Sequence, residues 1–250
     1  MKKILITVLF TGLTGWAIAQ SQPNKYTRES TEVWSPVPRV VTPGTTSFST
    51  TAPSDAIVLF DGKNLDNWVM DKDGSPAKWI VANKVITVLE RSGDIRTKQE
   101  FEDFQLHIEF RTPEKVVGTQ QDRGNSGVFM QGIYELQILD SYDNPTYVNG
   151  QAGAIYKQTM PLVNACKKPG EWQTYDIIYQ APKFNKDGLM LNAPYITVLQ
   201  NGILVQNHTL IYGTTPNQGP PLLKPHGKGP VLLQDHHHPL SFRNIWIREL

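Results

Sequence analysis

Phe104-Gln105-Leu106-His107-Ile108-Glu109-Phe110 alternates without a break: Phe104, Leu106, Ile108 and Phe110 point one way, Gln105, His107 and Glu109 the other. Side chains leave a β-strand on opposite faces in turn, so this stretch is a strand with one face on a core. Tyr134-Glu135-Leu136-Gln137-Ile138 repeats the pattern, with Glu135 and Gln137 sharing the polar face. Between Tyr195 and Gln206 the run is broken by Asn201-Gly202, a dipeptide suited to the positive φ angles of a type I′ hairpin turn. From Gly229 to Leu250 two more strands are expected, a hairpin around Asp235-His236-His237-His238-Pro239. No stretch sustains a helical apolar period, and 19 glycines and 18 prolines punctuate the 250 residues. The pattern predicts an all-β domain, and the number and spacing of the strands favour a two-sheet sandwich or jelly roll.

Outside the strands the chain divides in three. Met1-Lys2-Lys3, the uncharged and mostly apolar run from Ile4 to Ile18, and Ala17-Ile18-Ala19 have the order of a cleavable signal peptide over 1–19. The alternative is an uncleaved N-terminal anchor, although the apolar run falls short of the ~20 residues a span needs. An exported protein, periplasmic or extracellular, with no membrane span after cleavage is therefore expected. Residues 20–55 are rich in Ser, Thr and Pro, with Val33-Trp34 and Val40-Val41 as their adjacent apolar pairs, which suggests an arm laid along the main domain. This arm is expected to contribute binding or stability and no chemistry. The folded domain then occupies 56–250. Without Lys2 and Lys3, 22 basic residues face 23 acidic ones, so no nucleic-acid footprint is present. The single cysteine, Cys166, excludes an intrachain disulfide and reads as a quiet, buried thiol.

Two features carry chemistry. His107 and Glu109 on one strand, and Glu135 and Gln137 on the other, put polar groups opposite the apolar stripe. A solvated outer face would explain either strand alone. Around the second strand the context is richer. Gly124-Asn125-Ser126-Gly127 precedes it, a glycine turn that admits close approach, and Asp140-Ser141-Tyr142-Asp143-Asn144-Pro145 follows it. Glu135-x-Gln137-x-x-Asp140 is similar in spacing to the Glu-x-Asp-x-x-Glu of laminarinase- and lichenase-type glucanases, where a bulge turns all three positions to one cleft. Here an amide replaces the middle carboxylate, so the charge that separates a nucleophile from an acid is gone. Of the adjacent His236, His237 and His238, at most His236 and His238 could share a ligand, because neighbours on an extended segment face apart.

Several ordered motifs together resemble the 3-keto-disaccharide hydrolase domain family. They are Leu59-Phe60-Asp61-Gly62 through Trp68, Gly124-Asn125-Ser126-Gly127-Val128-Phe129, Tyr134 through Ser141, Gly153-Ala154-Ile155-Tyr156, Glu171-Trp172-Gln173-Thr174-Tyr175-Asp176-Ile177, and Gly229-Pro230 on to Asp235-His236 and Phe242-Arg243-Asn244-Ile245-Trp246-Ile247. The resemblance covers about 57–250. It implies a jelly roll of the concanavalin A-like lectin/glucanase type and cleavage of sugars carrying a ketone at C3. Such a ketone acidifies the C2 proton and makes the C1 oxygen a leaving group, so one base can replace the paired carboxylates.

On that footing Glu135 is expected to abstract the C2 proton or to hold a polarising metal, and His236 to protonate the departing oxygen. Asp140 and His107 are the other catalytic candidates. Asn125, Gln137, Lys157, Arg243 and Tyr142 are the candidates for substrate binding, Arg243 alternatively pairing with Asp235. A divalent metal and the oligomeric state are left open. The competing functions are a non-catalytic carbohydrate-binding module of the same fold and a surface protein that docks a partner through its Pro-rich arm. Convergence of Glu135, His107 and His236 in one pocket would favour the enzyme.

Overall fold

The structure is a computed structural model, and it describes residues 25–44 and 51–250; the expected signal peptide lies outside the described residues. Fifteen strands follow one another: β1 (Ile57–Phe60), β2 (Trp68–Met70), β3 (Ile80–Ala82), β4 (Val85–Thr87), β5 (Ile95–Thr97), β6 (Phe104–Arg111), β7 (Ser126–Met130), β8 (Tyr134–Ile138), β9 (Gln173–Gln180), β10 (Lys183–Phe184), β11 (Met190–Asn192), β12 (Tyr195–Gln200), β13 (Ile203–Leu210), β14 (Leu232–Leu233) and β15 (Ser241–Glu249). An eight-stranded sheet runs β13-β12-β9-β6-β15-β4-β3 with β1 also on β15, and a five-stranded sheet runs β2-β5-β14-β7-β8. The two sheets form the expected all-β sandwich. Asn201 and Gly202, at φ 54° and 79°, turn β12 into β13 as the type I′ signal requires. No helix among the described residues is long and apolar enough to cross a membrane.

One core lies between the sheets. Phe104, Leu106, Ile108 and Phe110 of β6 enter it from the large sheet, and Tyr134, Leu136 and Ile138 of β8 from the small one. Tyr175 on β9 spans the gap, its hydroxyl donating to the Gln137 carbonyl at 2.7 Å. Because both strands turn their apolar stripe to this shared core, their polar faces point away from each other. His107 and Glu109 therefore lie on the outside of the large sheet, Glu135 and Gln137 on the outside of the small one. The expected meeting of His107 with Glu135 does not occur.

The C-terminal segment corrects a second expectation. β14 and β15 are not a hairpin: β14 pairs with β5 and β7, while β15 pairs with β1, β4 and β6 in the other sheet. Asp235–Pro239 is thus a corner between sheets, which leaves His236 beside the small sheet and Arg243 on the outside of the large one. Arg243 does not reach Asp235. Its Nε donates to Glu109 Oε2 at 2.5 Å, and its guanidinium lies 4.0 Å over the Trp172 ring. Asp235 instead accepts from the Gly93 and His237 backbone N–H groups, at 3.0 and 2.9 Å.

The outer face of the large sheet is held by charge. His107 Nδ1 lies 2.7 Å from Asp176 Oδ1, its ring stacks on Trp246, and its Nε2 is 3.9 Å from Glu109 Oε1. Burial opposes a charge on His107, but hydrogen bonding to Asp176 and Glu109 outweighs it and lifts the imidazolium pKa to about 9. Glu109 is likewise buried, and its bonds with His107, Asn244 and Arg243 hold it down at about 2. A raised histidine stabilises the fold fully below its unfolded pKa of ~6.5 and loses that contribution as pH climbs through about 9. Asp176→Asn should therefore cost about 2 kcal/mol at pH 6. The deficit in melting temperature should shrink towards pH 10, where the wild-type histidine also loses its charge. Thermal melts across pH 5–10 check this.

Candidate functional site

A pocket of about 430 Å³ opens on the outer face of the small sheet, a size ordinary for small-ligand sites. Glu135 and Gln137 of β8 and Phe129 of β7 form its floor, with Asn125, Gln234, His236, Tyr147 and Tyr156 around them. The sheet explains the convergence. Gly127 and Phe129 of β7 stand opposite Gln137 and Glu135 of β8, so all four positions share the outer face. β14 pairs with the far side of β7, and beyond it the Gln234 N–H donates to the Gly127 carbonyl at 3.1 Å. Gln234 and His236 are thereby carried across β7 to the pocket. On the free edge of β8, the Tyr156 N–H donates to the Glu135 carbonyl at 3.1 Å, which brings Tyr156 beside the carboxylate-bearing residue.

Glu135 is the chemical centre of this floor. It is 5 % exposed, and among the described residues its carboxyl receives no hydrogen bond. Burial, with a smaller contribution from the Asp94 carboxylate, pushes its pKa up to about 8. Gly127 makes room for the group. A Cβ at 127 would stand 2.6 Å from Glu135 Oε1 and 2.9 Å from both Glu135 Cγ and Phe129 Cε2. The expected glycine turn for close approach by a ligand is not what this residue provides: Gly127 lies within β7, and the group that approaches it is the Glu135 side chain.

Gln137 is set as an acceptor. Its Nε2 donates to Gln121 Oε1 at 2.9 Å and to the Gly150 carbonyl at 3.3 Å, whereas its Oε1 is buried with no partner in the structure. Gln234 Oε1, on another lining residue, is in the same state. Buried acceptors of this kind cost stability unless a ligand hydroxyl meets them. Tyr147 and Tyr156 join their hydroxyls at 2.8 Å beside the floor; Tyr147 is buried, with the Lys157 ammonium over its ring. His236, exposed beside the pocket, is held below the usual histidine range by partial desolvation against the protein around it and then by His238 and His237, so it is neutral near neutral pH.

The other candidates lie elsewhere. Asp140 sits past the end of β8, with Oδ2 bonded to Arg123 Nε at 2.7 Å, and lines a separate cavity with Arg123, His237 and His238. The glucanase-like bulge is absent there, so the sixth position turns away from Glu135. Tyr142 lines a third cavity with Val40, Thr42 and Pro43 of the arm. Lys157 is buried at the pocket's edge and holds backbone rather than facing the floor. Cys166 is buried as expected, its thiol pKa pushed up to about 11 by burial. Among the described residues no group of three His, Cys, Asp or Glu side chains could hold a metal ion.

Three lining residues, Arg28, Glu29 and Glu32, come from the arm. Nothing local in that Ser/Thr/Pro-rich stretch marks them, and their place depends on where the arm docks. Tyr156 stood within a quoted motif, but Tyr147, Thr215 and Asn217 lie in loops without a pattern of their own.

The comparisons with known proteins agree with this architecture. A crystal structure of a candidate glycosyl hydrolase from Parabacteroides distasonis is 56% identical over 92% of this chain and all of that one, with a TM-score of 0.79. Two more structures of candidate glycosyl hydrolases from the same organism share the fold. One is 26% identical, covering 78% of this chain and 99% of that one at TM-score 0.53, and the other 21%, covering 78% and 94% at 0.57. No curated protein matches the chain. Residues 55–248 match the 3-keto-alpha-glucoside-1,2-lyase-like domain, and with that span covering both sheets and every floor residue of the pocket, the chain belongs to this family of carbohydrate-active proteins.

Proposed function

We propose that this protein, exported to the periplasm or the extracellular space, cleaves 3-keto-glycosides or 3-keto-disaccharides by removing the C2 proton and expelling the C1 substituent. The observation that carries the reading is Glu135: a single, buried carboxyl at the floor of a sugar-sized pocket, its pKa about 8, with a neutral amide where a glucanase would place a second charge. A base works best with a pKa near the working pH, and a desolvated carboxylate is a much stronger base than an ordinary one.

Ionised Glu135 takes the proton from C2. The C2–H electron pair moves towards C3 and the charge passes to the C3 oxygen. As the C3 carbonyl reforms, the C1–C2 double bond forms and the C1–O bond breaks, and water can add to the product afterwards. The departing oxygen lies one carbon from the site of proton abstraction, so the protonated Glu135 can return its proton there. His236 takes a different part from the acid that its sequence context suggests. Kept neutral, it is a poor proton source but a good N–H donor to the oxygen that becomes the enolate. Gln137 and Gln234, each with a side-chain oxygen that lacks a partner among the described residues, line the space for the ring together with Tyr156.

Glu135→Gln should lower turnover by ~10²–10⁴ on a 3-keto-glycoside. Retention of more than half the activity would overturn the assignment of Glu135 as the base. The wild-type kcat/KM should rise with pH towards a plateau above about 8, because the base acts only when ionised. The same substitution should stabilise the fold. A carboxyl whose pKa is raised on folding costs stability increasingly above its unfolded value of ~4.3, up to about 8. The melting temperature of Glu135→Gln should therefore exceed that of the wild type, most clearly at pH 8–9. Gly127→Ala should match the loss of turnover without changing the overall fold by circular dichroism, since the new methyl displaces the carboxyl.

His236→Ala should slow alkyl and activated aryl 3-keto-glucosides alike, by ~10²-fold, as loss of an enolate donor does. Exchange of the C2 proton with deuterated water, read by NMR, should slow in parallel. A loss confined to poor leaving groups would restore His236 to the role of acid.

A further inference from the structure

The arm lies outside the family domain, which begins at residue 55, yet it walls the pocket. It is bolted in place by backbone. The Val33 N–H donates to Asn149 Oδ1 at 2.9 Å, Asn149 Nδ2 to the Thr31 carbonyl at 2.8 Å, and the Val148 N–H to the Val33 carbonyl at 2.6 Å. Trp34 packs edge-on against Tyr147, a lining residue. Further along, Val40 pairs with Asn164 as a parallel bridge, and the Val41 N–H donates to the Asn164 carbonyl at 2.9 Å.

Lys157 closes the ring. Its ammonium donates to the Arg28 carbonyl at 2.5 Å and to the Asn217 carbonyl at 2.9 Å, lies 3.7 Å from Glu32, and sits over the Tyr147 ring. One buried cation thus ties the arm to the Asn217 loop across the mouth. The latch uses the backbone of Arg28; Arg28 and Glu29 both line the pocket, and the Arg28 charge helps to lower the Glu29 pKa. Glu29 is held ionised by hydrogen bonds from its own backbone N–H and the Thr27 hydroxyl. Both residues are exposed at the rim, whereas Glu135 is buried at the floor.

We propose that Arg28 and Glu29, positioned by Lys157, form the subsite for the leaving-group sugar and so select a polyhydroxylated aglycone over an apolar one. The inference rests on the pocket being a sugar site. A ring with its C2 and C1 oxygen at Glu135 leaves the aglycone beyond that oxygen to extend towards the mouth, where the arm supplies charged donors and acceptors. Charged side chains on an exposed rim add little to ring stacking but bond well to hydroxyls, so the subsite distinguishes aglycones by their polarity. Lys157 serves as a positioning residue.

The test uses full-length protein carrying Arg28→Ala and Glu29→Ala together, with Lys157→Met as a second variant that loosens the arm without altering the rim side chains. Calorimetric titration with a panel of α- and β-linked glucose disaccharides, against glucose as reference, reads the subsite independently of catalysis. The intact chain should prefer some disaccharide to glucose, and both variants should lose about tenfold in that preference with glucose affinity unchanged, the equivalent of one charge-assisted hydrogen bond. In turnover, 3-keto-disaccharides should lose about tenfold in kcat/KM and 4-nitrophenyl 3-keto-glucosides less than twofold. A preference that survives the double substitution, or none in the intact chain, overturns the inference. Failure of the intact chain to cleave any 3-keto-glycoside, with the disaccharide preference present and arm-dependent, would overturn the proposed chemistry and leave the subsite standing.

Discussion

Tyr134, Leu136 and Ile138 must enter the same core as Leu106, Ile108 and Phe110, and a strand's alternation then leaves Glu135 and Gln137 on the far side of the small sheet. Every other feature of the site follows from that placement. The core is dry and continuous, so the polar faces of β6 and β8 cannot communicate across it. The histidine on β6 becomes part of a charged brace with Asp176 and Glu109, while the carboxyl on β8 becomes the floor of a pocket. Two strands with the same pattern thus acquire opposite uses. The difference lies in what covers each outer face.

The cover on the small sheet leaves Glu135 dry without pairing it. A carboxyl can be buried beside a cation, as Glu109 is beside Arg243, and its pKa then falls. Among the described residues Glu135 has no such partner, so burial raises its pKa, and the Asp94 charge raises it a little further. The surroundings give up stability to hold a carboxyl whose pKa is raised, a pattern that functional sites often show. Gly127 is the counterpart of that arrangement on the neighbouring strand: the missing side chain is the space into which the carboxyl fits. Gln137 extends the logic, since an amide leaves a buried acceptor on the same face without adding charge next to Glu135.

The arm shows how a segment without a core of its own acquires a defined position. Its backbone groups are satisfied by Asn149, Val148 and Asn164, and its few apolar side chains pack on residues that already line the pocket. Lys157 completes the junction by giving its protons to two carbonyls and its charge to Glu32. A buried lysine with that many partners is bound to one geometry. The rim is therefore as well positioned as the floor, although the two come from opposite ends of the fold's logic.

Alternation along β6 and β8, the Asn201-Gly202 turn and the punctuation by glycine and proline were enough to define an all-β sandwich, because side-chain period and turn chemistry are local properties. The same local reading singled out Glu135, Gln137 and Asn125. Alternation says which residues share a face of one strand, but it is silent on which sheet the strand joins. His107 and Arg243 were therefore grouped with Glu135, although the shared core sets them on the opposite outer face. Asp140 was placed by analogy with a bulge, and the ion pair with Arg123 turns it elsewhere. Arg28 and Glu29 carry no pattern at all. They reach the pocket through backbone hydrogen bonds to residues more than a hundred positions away, and such bonds depend on no side-chain identity in the arm that a sequence could display.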